Sequence, residues 1–410
     1  MEVVGVLDPM AFTSSFFDMG IELALQGLDG DRTFTSGEAV TGSLLLKLDR
    51  PTIISQITIS LQGSVRTSLV EKGSPFILGN DLPTVEQENQ QIFRLSNSLF
   101  PPRDVPQLSR SYTLSNSGYS FPFEIRFPQA LNSSGTQLPP SFIKRSEAHG
   151  AEAHIEYFLR IDLKRPGRFR QRIAIERQLN FMPIDTAPTR SAYFYSGFRI
   201  RQAALYNHYL GHTQAGTGIP VLILEAIMPS PSVLYAGGNL PVQLRIRRLP
   251  AKLDCIPIKL QYIAISLRST TTILARLHRA SWNSSQALVT LNELDEHLVS
   301  CVDEESFTDI MSSILENTIV PEISPSFNNK LVEEKYSLGV EAGFSLGNAI
   351  RSNRLNISMG VDIRSGFCSE DSGRRIRATR EPGYLDLLGA FGAGVEMQPP
   401  PCYSPAMTIH

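Results

Sequence analysis

The sequence is poor in cysteine and has no long apolar run. Its four cysteines in 410 residues are scattered, which excludes a dense disulfide framework and a zinc site with close cysteine pairs. No apolar run reaches the roughly 18 residues that predict a membrane-spanning helix. The net charge is only -2, so no global basic excess favours binding to nucleic acid. We therefore expect no nucleic-acid partner.

The N-terminus also lacks the features of a secretory signal. No basic residue precedes its apolar stretch, which Glu2 and Asp8 interrupt, and this favours a cytoplasmic protein. Glycosylation triplets at Asn132, Asn283 and Asn356 would suit a secreted protein. A secreted β-sandwich binding protein therefore remains an alternative.

Motifs for catalysis are missing as well. The sequence has neither a Gly-x-Ser-x-Gly elbow nor a phosphate-binding Gly-Lys-Ser/Thr loop. His208 and His212 have the spacing of metal ligands on a helix, but Gly211 lies between them and the glutamate of a zincin is absent. We expect no enzyme activity, no metal and no cofactor.

Hydrophobicity along the sequence alternates with a period of two residues. Apolar and polar residues alternate over many short segments separated by Gly, Pro, Asn and Ser. In residues 154–165 one face is formed by Ile155, Tyr157, Leu159, Ile161 and Leu163. Such alternation is typical of antiparallel strands with one solvated face. The sequence therefore predicts an all-β protein built from β-sandwiches.

The two halves of the chain repeat one pattern. Gly37 corresponds to Gly237, and each glycine precedes an alternating strand. The apolar positions that match are Val40 with Leu240, Leu44 with Leu244, and Leu46 with Ile246. A second alternating strand follows in each half. We predict two related sandwiches in tandem.

Changes in pattern give the expected limits of these units. We predict an N-terminal extension over 1–19, a first lobe over 20–185, a connecting segment over 186–218, a second lobe over 219–365 and a disordered tail over 366–410. Two inserts interrupt the lobes. Residues 71–93 are polar and loop-like, whereas Ile310, Ile314 and Leu315 predict one face of a short helix within 303–320.

Several phrases in succession resemble a known family. In the first lobe they are SFPFEIRFP, then LPPSF and IEYFLRIDLKRP; in the second they are PSVLYAGGNLPVQLRI and YSLGVEAGFSL. Over about residues 20–365 the chain resembles the arrestin fold, and in particular the fungal α-arrestins, or arrestin-related trafficking adaptors. The resemblance implies two consecutive arrestin-like immunoglobulin-type β-sandwich lobes with a disordered C-terminal tail.

The resemblance also implies an adaptor rather than an enzyme. Members of this family bind membrane transporters or receptors through their lobes and recruit a WW-domain HECT-type ubiquitin ligase through Pro-Pro-x-Tyr motifs. The cargo is then ubiquitinated and internalised by endocytosis. This places the protein in the cytoplasm, with peripheral recruitment to the plasma membrane or endosomes. An arrestin-fold sorting or signalling scaffold that uses no ubiquitin is the main alternative.

The C-terminal tail contains one match to the ligase-binding motif, where many family members have several. Pro400, Pro401 and Tyr403 form Pro-Pro-Cys-Tyr. Prolines preorganise a polyproline II ridge, and the tyrosine supplies an anchoring ring with a polar hydroxyl. We therefore expect these three residues to bind a WW domain. Ser404 precedes Pro405 and is a candidate phosphorylation site that would tune this docking.

The last lysine of the sequence is Lys335, so the segment with the motif has none. A ligase docked at Tyr403 that modified the adaptor itself would have to use a lysine on a lobe. The candidate ubiquitin acceptors of the second lobe are Lys252, Lys330 and Lys335. The alternative is that they are ordinary surface lysines.

One basic stretch is a candidate patch for acidic cargo tails or anionic lipid head groups. It comprises Lys164, Arg165, Arg168, Arg170 and Arg172. A smaller version contains Arg245, Arg247 and Arg248. The alternative for both is a solvated sheet face.

Overall fold

In the computed structural model, 25 strands and one short helix form two β-sandwich lobes within the described part of the chain. The residues that the structure describes are 12–16, 19–25, 32–71, 84–101, 111–131, 135–166, 173–185, 197–207, 219–249, 258–292, 294, 296–297, 307–346, 353–369 and 375–377. The prediction of an all-β fold is confirmed.

The first lobe packs a four-stranded sheet on a six-stranded one. The smaller sheet has the order β1 (Phe12–Phe16), β2 (Met19–Leu25), β4 (Ala39–Leu48) and β9 (Gly118–Arg126). The larger sheet has the order β3 (Thr33–Phe34), β12 (Ile173–Phe181), β11 (Ala151–Lys164), β6 (Gln56–Glu71) and β7 (Thr84–Phe100), and β10 (Phe142–Ser146) also pairs with β11. A separate pair joins β5 (Thr52–Ile54) to β8 (Tyr112–Leu114).

The second lobe repeats this arrangement with a seven-stranded larger sheet. Its smaller sheet has the order β13 (Gly197–Asn207), β14 (Ile219–Ser230), β16 (Gln243–Arg248) and β20 (Thr308–Ile310). The larger sheet has the order β15 (Val233–Tyr235), β23 (Asn353–Arg364), β22 (Val332–Leu346), β17 (Ile258–Ala275) and β18 (His278–Leu291); β19 (Glu296–His297) pairs with β17, and β21 (Phe327–Asn328) pairs with β22. Helix α1 spans Ser312–Glu316, and β24 (Phe367–Ser369) pairs with β25 (Arg375–Arg377).

The internal repeat of the sequence corresponds to a repeat in topology. In each larger sheet, the strand that comes first along the chain pairs in parallel with the strand that comes last: β3 with β12, and β15 with β23. The other pairings within each sandwich are antiparallel. Gly37 and Gly237 occupy equivalent turns with φ of 76° and 74°. Glycine adopts this left-handed backbone without the steric penalty of a Cβ atom. The repeated glycines are therefore a requirement of the repeated turn.

The alternating residues form the core as expected. The inward residues of β11 are all buried, because successive side chains of a strand point to opposite faces of the sheet. Tyr157 packs against Phe93, Phe127 and Phe181, at ring centroid distances of 4.8 to 6.0 Å. Its hydroxyl donates a hydrogen bond of 2.6 Å to the carbonyl oxygen of Pro139. Burial raises the pKa of Tyr157 well above its usual range.

Four segments differ from the sequence-based expectations. The insert 71–93 contains half of β7, and the connecting segment 186–218 contains β13. Both are edge strands with mostly polar or exposed residues, so their formation depends on pairing with a neighbour rather than on a buried face. β1 lies within the predicted extension, and β24 and β25 lie within the predicted tail. The rest of that tail is outside the described residues, so its predicted disorder remains a prediction.

The predicted helix is present but shorter than its pattern suggested. Leu315 is buried and Ile314 is 39% exposed, while Ile310 belongs to β20 instead. Pairing of Ile310 with Leu244 of β16 takes precedence over continuation of the helix. The helical face is therefore reduced to one buried leucine.

The two lobes share an apolar interface, which we call the seam. Four residues of the second lobe belong to the buried apolar cluster of the first: Ile273, Trp282, Leu331 and Val332. The ring of Phe142 from β10 meets that of Phe327 from β21 edge-on at 5.1 Å. These four residues are therefore packed into the core of the first lobe, while the second lobe also has a separate core of its own.

Candidate functional site

The chain leaves the second lobe beside the end of the first. Arg364, the last residue of β23, forms an ion pair of 3.0 Å with Asp185. Ser365 donates a hydrogen bond of 2.7 Å to the carbonyl oxygen of Pro183, and the backbone N–H of Asp185 donates one of 2.8 Å to Phe367. These bonds fix the origin of the C-terminal segment at the junction of the lobes.

The predicted ligase-binding residues Pro400, Pro401 and Tyr403 lie outside the described residues, as does Ser404.

The larger basic stretch begins at the end of β11. Lys164 is exposed, and its ammonium group donates a hydrogen bond of 3.1 Å to the side chain of Gln56. Arg165 is half-buried. The remaining members, Arg168 and the arginines at 170 and 172, lie outside the described residues. The structure therefore presents one exposed cation of this patch.

The smaller basic stretch lies on β16 and has a defined geometry. The guanidinium groups of Arg245 and Arg247 lie 4.9 and 4.8 Å from the centre of the Phe307 ring, within the distance at which an aromatic ring attracts a cation. Arg245 also forms a 3.0 Å ion pair with the buried carboxylate of Glu225. Arg248 ends the strand, but its side chain is not described. Within the described part of this stretch, Arg245 is paired with a carboxylate and Arg247 contacts the Phe307 ring.

The candidate ubiquitin acceptors are accessible where they are described. Lys330 is exposed. Lys335 is 68% exposed and forms an ion pair of 2.6 Å with Glu333, its neighbour but one on β22. Lys252 lies outside the described residues. Two of the three lysines can therefore be reached by a large partner.

The described residues contain no group of three or more His, Cys, Asp or Glu that could hold a metal ion. The predicted linker histidines His208 and His212 fall outside them. His154 lies 2.7 Å from a carboxylate oxygen of Glu152, and this contact, together with Arg145, lowers the pKa of Glu152. Both side chains belong to β11, two residues apart on the larger sheet of the first lobe. Among the described helical residues, none forms a helix suited to crossing a bilayer.

The first lobe matches a known domain family. Residues 25–181 match the model for the arrestin (or S-antigen) N-terminal domain. The first lobe is arrestin-like. The second lobe has the same strand order as the first, including the parallel pairing of one edge strand with its neighbour, so the two lobes share one topology.

One curated trafficking protein is similar in sequence to part of this chain. Arrestin-related trafficking adapter 10 of Eremothecium gossypii is 27% identical over 164 residues. The match spans 34% of this chain and 37% of that protein, so the chain covers little more than a third of the length of its relative. The predicted resemblance to an arrestin-like fungal adaptor is confirmed at this level.

Sequence patterns missed the side chains that join the lobes. Lys144 of the first lobe forms a 2.6 Å ion pair with Glu334, whose side chain is only 1% exposed. Nothing local marks Lys144, because alternation assigns a lysine to the solvated face of a strand. A glutamate at an inward position of a strand, between the apolar Val332 and Tyr336, was the one available signal.

Proposed function

We propose that this arrestin-like protein is a ubiquitin-ligase adaptor. Its lobes bind a membrane transporter or receptor, and Pro400, Pro401 and Tyr403 recruit a WW-domain HECT-type ligase. Ubiquitination of the cargo then promotes its endocytosis. The protein itself performs no catalysis and needs no cofactor. It acts in the cytoplasm and is recruited peripherally to the plasma membrane or endosomes.

The observation that carries the proposal is the combination of two arrestin-like lobes with a C-terminal segment that starts at their junction and includes one Pro-Pro-x-Tyr motif. A ligase tethered to the lobes through this segment would be held at a high effective concentration near any bound cargo. The adaptor would then act by holding the ligase close to its cargo rather than by catalysing a reaction. The name of the trafficking relative agrees with this role.

Cargo and self-modification are the finer parts of the proposal. Acidic cargo tails or anionic lipid head groups would contact the basic stretch that begins at Lys164 and Arg165. Ligase that acts on the adaptor would use the exposed Lys330 or Lys335, since no lysine follows residue 335. Phosphorylation of Ser404 would add negative charge next to the anchoring tyrosine.

The test is binding of the full-length protein to isolated WW domains of a HECT ligase. Tyr403→Ala should weaken binding at least tenfold, because it removes the anchoring ring. Tyr384→Ala is the matched control, since Tyr384 lies in the same segment but follows Pro-Gly rather than a diproline. Equal binding by both variants, or no binding by the native chain, would reject ligase recruitment and favour a scaffold without ubiquitin.

The alternative of a secreted β-sandwich binding protein can be tested through its glycosylation triplets. The sequon residues Asn283 and Asn356 are both exposed, on β18 and β23, so a glycan could be attached without disturbing the core. Asn132 lies outside the described residues. A mobility shift of the expressed protein after glycosidase treatment would support secretion and contradict the cytoplasmic adaptor.

A further inference from the structure

A strand that is continuous in the first lobe is interrupted in the second. In the first lobe β9 pairs with β4 without a break. In the second lobe Asn239 pairs with Ile319, and five residues later Leu244 pairs with Ile310. The two isoleucines are nine residues apart, so this strand contains four additional residues between the two pairs. Helix α1 is where the chain accommodates them.

Helix α1 forms one wall of an apolar groove, and the edge strand β18 forms the other. The groove has a volume of about 600 Å³, with Leu288 and Val289 on the β18 side and Ile314 and Ile319 on the helix side. Leu288 is the extra residue of a β-bulge in the pairing of β18 with β17, and this bulge places two consecutive apolar side chains along the wall. Ile314 and Ile319 are 39% and 53% exposed.

The helix wall is held in place by the rest of the second lobe. Leu315 is buried in the core of that lobe. The side-chain amide of Asn317 donates a hydrogen bond of 2.8 Å to the carbonyl oxygen of Ser313, and the hydroxyl of Thr318 donates one of 2.9 Å to that of Ile314. These bonds satisfy carbonyl groups that the end of a helix leaves without partners. A wall that is already ordered lowers the entropic cost of binding a ligand.

The other wall of the groove offers backbone groups to an extended chain. No described strand pairs with the outer edge of β18, and an extended peptide can add to such an edge through main-chain hydrogen bonds. Alternate side chains of the peptide then point into the same pocket. In the first lobe this edge of the sandwich is closed by the rings of Phe100 from β7 and Phe121 from β9, which meet at 6.1 Å. The second-lobe groove therefore suits bulky apolar side chains supplied by a partner.

The charge around the groove is acidic. Between Arg279 and Lys330 the sequence contains nine Asp or Glu residues and no Lys or Arg, and this part of the chain includes α1 and most of β18. Glu316 lies on α1 between the lining residues Ser313 and Asn317; it is exposed and forms no ion pair with a described residue. A surface of one charge sign attracts ligands of the other sign. The ligand of this groove is therefore basic as well as apolar.

We propose that the groove between β18 and α1 binds an extended peptide of a partner protein that alternates bulky apolar side chains with Lys or Arg. The peptide adds a strand to the edge of β18 and places its apolar side chains against Leu288, Val289, Ile314 and Ile319. Its cations face Glu316. The site goes beyond ligase recruitment, since it belongs to the second lobe alone and does not use the C-terminal motif.

The experiment begins with a phage-displayed library of random octapeptides, selected on the full-length protein. The most enriched peptide is labelled with a fluorophore and titrated by fluorescence polarisation into the native chain, Ile314→Ser/Ile319→Ser and Glu316→Lys. Leu277→Ser is the matched apolar control, because Leu277 is 93% exposed at the opposite end of β18. Glu147→Lys is the matched charge control, because Glu147 is exposed on the first lobe. Thermal unfolding verifies that each variant is folded, and hydrogen exchange of β18 is measured with and without the peptide.

The selected peptides should alternate bulky apolar residues with Lys or Arg. Ile314→Ser/Ile319→Ser should weaken binding about tenfold or more, because it removes apolar contact area, and Glu316→Lys should weaken it about threefold, as expected for an exposed charge. Both controls should bind as the native chain does, and bound peptide should slow exchange in β18. Failure to enrich any peptide, enrichment of acidic peptides, native affinity in the double variant, or unchanged exchange in β18 would each overturn the proposal. Binding of WW domains should be the same in all these variants, so the two proposals can fail independently.

Discussion

Replacement of Gly63 by alanine tests how tightly the first-lobe core is packed. Gly63 of β6 pairs with Tyr157 of β11, and a Cβ atom at this glycine would lie 2.7 Å from the tyrosine ring and 3.1 Å from that of Phe93. The ring of Tyr157 cannot easily withdraw, because its hydroxyl is bonded to Pro139 and two more aromatic rings lie behind it.

Two effects of opposite sign decide the result. Alanine in a strand is favoured over glycine by about 0.5–1 kcal/mol through the entropy of the unfolded chain. Overpacking of a well-filled core costs about 1–3 kcal/mol. Since the contacts at 2.7 Å are below any normal carbon–carbon separation, we expect the packing cost to dominate. Gly63→Ala should lower the free energy of unfolding by about 1–2 kcal/mol, a loss of about 2–8 °C in Tm for a domain of this size.

The assay is urea and thermal unfolding followed by circular dichroism. Gly118→Ala is the matched control, because Gly118 is also in a strand of the first lobe and a Cβ atom there would meet nothing within 4 Å. That variant should be neutral or slightly more stable. If Gly63→Ala is as stable as Gly118→Ala, the ring of Tyr157 is not confined as the structure indicates, and the reasoning fails.

Two further predictions concern hydrogen bonds and charge in the same lobe. Tyr157→Phe leaves the carbonyl oxygen of Pro139 without its donor and should cost about 1 kcal/mol in urea unfolding; an unchanged midpoint would show that this bond contributes nothing. The Glu152 carboxylate has a pKa lowered first by its hydrogen bond to His154 and further by Arg145, so its contribution to stability is present above the unfolded pKa and disappears as pH falls through the folded value. The stability difference between the native chain and Glu152→Gln should therefore shrink as pH is lowered below about 4.3; a difference that grows on acidification would refute this sign.

The position of the C-terminal segment has a consequence for the proposed adaptor. Bonds at Asp185 and Ser365 hold its origin at the lobe junction, so in the proposed adaptor the tether of the ligase would start beside both lobes. Cargo bound on either lobe would lie within reach. The single motif would then act through its location rather than through multivalency.

Particular strands show where sequence patterns succeed and where they fail. β4, β6 and β11 were predicted because their alternating residues face a sandwich core, and the buried residues are those of the pattern. β7 and β13 were missed, because an edge strand can be polar on both faces and still be held by the backbone hydrogen bonds of one neighbour. The amino-acid composition of an edge strand does not indicate which strand it will pair with.

The sequence by itself determined the fold class, the tandem repeat and the one candidate docking motif, because strand periodicity, a left-handed glycine turn and a diproline are local properties of the chain. Only the tertiary structure decided which residues join the lobes. Lys144 and Glu334 are 190 residues apart, and each has the composition of a solvated strand face until the other is brought beside it. Long-range pairing of charges depends on how two finished sandwiches meet, which no local pattern specifies.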